Sequence, residues 1–117
     1  MGKSLTRKII ESHYVKGSMV PGEEVFIKVD QTLTHDINAV MTYLAFEAIG
    51  LDRIRTEYSV SYLDHNLLYV NNMTPDDHIY LQSAAEKFGV HVSRPGNGIC
   101  HTVHVSRFGA PGKISMG

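Results

Sequence analysis

Two spacings of apolar residues run through the chain. Val25, Ile27 and Val29 alternate with Phe26, Lys28 and Asp30, which predicts a strand over "EVFIKVDQTLT". Ile37, Val40, Met41, Leu44, Ala45, Ala48 and Ile49 recur at helical spacing, and this is the clearest helix signal in the sequence. Thr34 or Asp36 can cap that helix, and Gly50 stands where a glycine stop belongs. A shorter helix is predicted over residues 4–14, with Ser4 as cap and Leu5, Ile9 and Ile10 near one face; "KGSMVPGEE" breaks it. "EYSVSYLDHN" predicts a strand ending at Asp64, His65 and Asn66. "TPDDHIYLQSAAEKFG" predicts a helix with Thr74 as cap, Pro75 at its first position, acids in its first turn and Gly89 as its stop. "VHVS" is a short strand, "RPGNG" the loop leaving it, and residues 100–109 a last short helix or turn.

Strands thus alternate with helices, which predicts an α/β class, layered α/β/α, with a mixed, partly parallel sheet. In such sheets ligands bind outside the carboxyl ends of the strands. Three polar clusters are expected there: Asp30 to Asp36, Asp64 to Asn66, and Arg94 to His104. No repeat or low-complexity segment interrupts the pattern.

A length of 117 residues predicts a single segment over 1–117, with 43% hydrophobic and 20% charged residues as in ordinary globular domains. Lys and Arg number 11 against 12 Asp and Glu, a balance with no footprint for nucleic acid or anionic lipid. One cysteine excludes an intramolecular disulfide and an all-cysteine metal site. There is no signal-peptide pattern and no run of about 20 apolar residues, so no membrane partner and a cytoplasmic location are expected. Gly2 followed by Thr6 is a weak myristoylation signal.

Asp64 and His65 read either as a carboxylate orienting an imidazole for proton transfer or as an Asx turn beside an exposed histidine. His101 and His104 have the spacing of one helical face, but two imidazoles do not complete a zinc site, so no metal is assigned and a polar helix face competes. His35 precedes a helix start and can hold an anion there, or is a surface loop residue. "PGNG" permits positive φ and close ligand approach but lacks the glycine spacing of nucleotide loops. Cys100 reads as a buried structural thiol, and His13, His78 and His91 are given no role.

Taken together, "VPGEEVFIKVDQTLTHD", "SVSYLDHN" and "SRPGNGICHTVHVSRFGAPGK" resemble the N-terminal part of the aconitase superfamily, which includes aconitase, homoaconitase and isopropylmalate dehydratase. The resemblance spans nearly the whole chain and is closest in style to a bacterial aconitase. It implies a hydro-lyase acting on a tricarboxylic hydroxy acid, citrate and isocitrate via aconitate, with homoaconitase- or isopropylmalate dehydratase-type chemistry as the alternative. It implies that Asp64 and His65 handle the substrate hydroxyl and that His101 is a second catalytic imidazole. His35 stands at the substrate-binding place where many aconitases carry Gln and the other branches carry His. A 4Fe-4S cluster held by three thiolates is implied for the parent enzyme.

One cysteine cannot hold that cluster, so none is expected in this chain. The family's next motif, an Asp-Ser-His-Thr run, belongs a few residues beyond Lys113. The chain is therefore expected to be an excised or truncated piece of a larger catalytic region, inactive alone and prone to self-association through surfaces the parent covers. The competing readings are a non-catalytic remnant that binds a carboxylate or a partner chain, and a small His-rich metal-binding domain.

Overall fold

The computed structural model describes residues 2–117. In chain order the elements are α1 (Leu5–Ser12), β1 (Tyr14–Gly17), β2 (Val25–Ile27), β3 (Gln31–His35), α2 (Ala39–Ile49), β4 (Tyr58–Tyr62), α3 (Met73–Phe88), β5 (His91–Ser93), α4 (Cys100–Phe108) and β6 (Ser115–Met116). β1 and β2 form an antiparallel hairpin, and the other strands form a parallel sheet in the order β5-β4-β3-β6. The α/β class expected from the alternation is what the fold shows, but the main sheet is wholly parallel rather than mixed.

The sheet is covered on both faces. On one, α2 and α3 bury Tyr43, Leu81, Ala85 and Phe88 with Leu63 and Val90. On the other, α4 packs Cys100 and Val103 against Val60 and Tyr62 of β4. β4 is the central strand, buried on both sides, and so reads as "YSVSY" with Ser59 and Ser61 inside. Ser59 is satisfied by the hydroxyls of Thr32 and Thr56.

Three expectations are corrected. The single strand over "EVFIKVDQTLT" is two strands, parted at 28–30, because β2 pairs with β1 while β3 enters the parallel sheet. The third helix starts at Met73 after Asn72, ahead of the expected Thr74 cap. Most of the apolar stripe of α2 faces out: Ile37, Met41, Leu44 and Ile49 are exposed, whereas Ala39 and Tyr43 face the core. Helical spacing identified the helix but not which of its two apolar sides packs, since both are apolar.

Asp30 lies at the amino end of β3, away from the other polar clusters. It is buried, faces His13 Nε2 at 2.6 Å and accepts the Ile114 N–H at 3.0 Å, so it pins α1 and β6 to the sheet. The Ile9 carbonyl raises the His13 pKa above 6.5; burial opposes this, and Asp30 adds to it. The Ile114 N–H lowers the Asp30 pKa below 3.8, again against burial and with help from His13. The His13 contribution is therefore complete below 6.5 and lost as pH rises through the raised value. The Asp30 contribution is present above 3.8 and lost as pH falls through the lowered value. Buried His104, its pKa lowered by burial, works in the opposite direction to His13. Comparison with a variant isolates the pair: the Tm advantage of wild type over His13→Gln should shrink as pH rises above 6.5. An advantage that stays constant as pH rises would contradict the ion pair.

Candidate active site

Parallel strands put their carboxyl ends at one edge of the sheet, and there the segments after β3, β4 and β5 meet. His35 is the last residue of β3 and pairs with Tyr62, the last of β4. Asp64 and His65 follow β4 directly, and His101 is the second residue of α4. The three imidazoles converge: ring centres lie 4.4 Å apart for His35 and His65, 5.9 Å for His65 and His101, and 6.2 Å for His35 and His101.

Two carboxylates build this arrangement. Asp36 is buried and accepts the N–H groups of His65 at 3.1 Å and Asn66 at 2.8 Å, with His78 Nε2 at 3.1 Å. It thereby fixes the segment after β4 to the end of β3. Asp64 accepts the Cys100 N–H through Oδ2, serving as a remote cap for α4, whose own cap position, Ile99, has no oxygen to offer. Through Oδ1 it meets His65 Nδ1 at 2.9 Å. Burial alone would raise the Asp64 pKa, but the Cys100 N–H, His65 and the Cys100 thiol outweigh it and hold the carboxyl below its ordinary value. The group is thus a carboxylate at neutral pH, and it leaves His65 Nε2 free for the cleft.

The turn before α4 delivers His101. Gly96 and Gly98 both have positive φ, at 91° and 110°, and a Cβ on Gly98 would stand 3.0 Å from Val103 Cγ2. His104, one turn on, points elsewhere. It is buried, with Nδ1 3.0 Å from the Tyr62 hydroxyl and Nε2 3.4 Å from Ser115 Oγ. The two histidines of α4 thus share neither a ligand site nor a polar face: one enters the cleft and one the core.

All four residues singled out from the sequence, His35, Asp64, His65 and His101, meet at this edge. Asp36 and His78 were not singled out for it. Asp36 read as a cap for α2, but α2 starts at Ala39 and Asn38 makes no side-chain cap bond. The only available signal was an acid directly following a strand's last residue.

The cluster implied by the resemblance does not fit these residues. Cys100 is the sole cysteine and is fully buried, and burial together with Asp64 pushes its thiol up to about 11. A thiolate ligand requires the opposite environment. A cavity of ≈ 230 Å³ under α2, lined by Thr34, Tyr43, Phe46, Ile54 and Val90 among others, is apolar and includes none of the four residues. No helix among the described residues is long and apolar enough to cross a membrane.

No family model matches the chain. Curated relatives do. It is 26% identical over 117 residues to "3-isopropylmalate dehydratase large subunit 2" of Archaeoglobus fulgidus, covering 100% of this chain and 28% of the relative. It is 28% identical to the "Aconitase-ribosomal protein bL21m fusion protein" of Schizosaccharomyces pombe, covering 97% of this chain and 14% of the relative. It is 28% identical to "Homocitrate dehydratase, mitochondrial" of Saccharomyces cerevisiae over 75% of this chain and 12% of the relative. The chain spans under a third of the length of the relatives it matches.

Proposed function

We propose that the chain, which is similar to a fragment of aconitase-superfamily members, forms one wall of the active-site cleft of a hydro-lyase acting on a hydroxy di- or tricarboxylic acid. The observation that carries the reading is the convergence of His35, His65 and His101, with Asp64 bonded to His65, at the carboxyl edge of the sheet.

Dehydration breaks a C–O bond, and hydroxide is a poor leaving group unless it receives a proton. His65 is held by Asp64 with Nε2 toward the cleft, the placement of a group that gives a proton to the departing hydroxyl. The adjacent carboxylate fixes the ring's orientation. His101 and His35 supply further polar contacts to the hydroxyl and carboxylate groups of the acid. The carbon-bound proton leaves to a base carried by the rest of the enzyme.

His35 and the isopropylmalate dehydratase relatives favour a malate-type acid, while the fusion-protein relative keeps the citrate–isocitrate reading as the second. The 117-residue chain should show no turnover alone after iron–sulfur reconstitution, when the new conjugated double bond is followed by ultraviolet absorbance. Joined to the remaining domains it should dehydrate isopropylmalate or citrate, and the ratio of their kcat/KM values chooses between the substrates. Turnover by the isolated chain, or none of either acid by the completed enzyme, would contradict the proposal.

A further inference from the structure

We propose that His78 and Tyr69 are positioning residues for His65, acting through Asp36; the proposal rests on the hydro-lyase reading, which makes His65 the proton donor. His78 lies in α3 and is buried, a titratable group that the chemistry above does not use. Its Nε2 stands 3.1 Å from Asp36 Oδ2 and its Nδ1 3.0 Å from the Tyr69 hydroxyl. A carboxylate only accepts, so Nε2 donates to Asp36 while the other ring nitrogen holds the phenol. Asp36 also accepts the Asn66 N–H on Oδ2 at 2.8 Å and the His65 N–H on Oδ1 at 3.1 Å. The same Oδ1 stands 3.8 Å from His65 Nδ1.

The hydrogen-bonded series Tyr69–His78–Asp36 thus grips residues 65–69 at both ends. Packing contributes little to this stretch: residues 63–72 form no helix or strand, and Leu68 and Val70 are 83% and 81% exposed. Among the described residues, the Asn66 N–H and the Tyr69 hydroxyl supply the hydrogen bonds from residues 66–70 to the rest of the fold, and both lead to Asp36. A segment with so little buried surface keeps its shape through such bonds. Asp64 orients the His65 ring, but Asp36 sets where the His65 backbone sits. Proton transfer tolerates little misplacement, and an error of about 1 Å can cost about 10²-fold in rate. A histidine serving only to fill the core would have no reason to direct both ring nitrogens at the supports of one loop.

Turnover in the completed enzyme and amide hydrogen exchange in the 117-residue chain test the proposal together. His78→Ala should lower kcat per folded molecule by about 10–100-fold, with KM within about threefold of wild type. A residue that only supported the fold would reduce the folded fraction and leave turnover per folded molecule intact. His78→Gln keeps an amide donor for Asp36 and Tyr69→Phe removes only the outer hydroxyl, so each should lower kcat by no more than about threefold. In the 117-residue chain, His78→Ala should speed exchange of the His65 and Asn66 amides by about tenfold or more relative to the Leu33 amide of β3. Should His78→Ala fail to fold, His78→Leu, which keeps volume without the donor, takes its place in both measurements. Exchange at His65 and Asn66 unchanged relative to Leu33 would overturn the positioning role alone. So would a kcat per folded molecule within about threefold of wild type for His78→Ala, or a His78→Gln variant as impaired as His78→Ala. A completed wild-type enzyme without hydro-lyase activity would overturn the hydro-lyase reading and this role with it.

Discussion

His65→Ala and Asp64→Asn, placed in the completed enzyme, should each lower kcat by about 10²–10⁴-fold, the usual loss on removing a general acid or the group that orients it. KM should change far less, because proton donation is made only in the transition state. Asp64→Asn keeps an oxygen for the Cys100 N–H and so retains the cap on α4, but it removes the charge beside His65. Its deficit should therefore appear in kcat with little change in Tm. Steady-state kinetics with thermal unfolding on the same samples separates the two. A kcat within threefold of wild type for both variants would remove the Asp64–His65 pair from the chemistry. His104→Ala provides the contrast: a stability loss, since the Tyr62 hydroxyl loses its partner in the core, without a matching loss in kcat per folded molecule.

Asp36→Ala should be the most destabilising of the polar substitutions at this edge. The carboxylate is buried, and its removal strands the N–H groups of His65 and Asn66 together with His78 Nε2. Orphaning the buried His78 Nε2 costs about 1–3 kcal/mol, and the N–H groups of the exposed His65 and Asn66, which water can reach, add less, so a total of about 2–3 kcal/mol is expected. In a domain of this size that lowers Tm by roughly 10 °C or more. Asp36→Asn should fall between, because an amide retains one accepting oxygen where three donors converge. A Tm for Asp36→Ala within about 2 °C of wild type would show that these hydrogen bonds contribute little.

The strand–helix alternation was legible because β4 and α3 are bounded by strong local signals, such as the left-handed Gly89 that ends α3. The meeting of His35, Asp64, His65 and His101 was legible for a topological reason: parallel pairing forces successive strand ends to one side. Three features were hidden. The β1–β2 hairpin carries no tight-turn signature beyond "VPGEE", and its strands look like extensions of their neighbours. The orientation of α2 depends on which apolar side meets the sheet, which helical periodicity does not encode when both sides are apolar. The roles of Asp36 and Asp64 as remote caps join segments 29 and 36 residues apart, so no local motif records them.

The most direct test of the shared cleft is a double-mutant cycle on kcat in the completed enzyme, using His65→Ala, His101→Ala and both together. Imidazoles whose ring centres lie 5.9 Å apart and act on one substrate group work as a unit, so their effects should be strongly non-additive. The account predicts that each single variant loses about 10²-fold or more and that the double variant is little worse than the poorer single. Losses that multiply independently, or a His101→Ala variant with wild-type kcat, would contradict it.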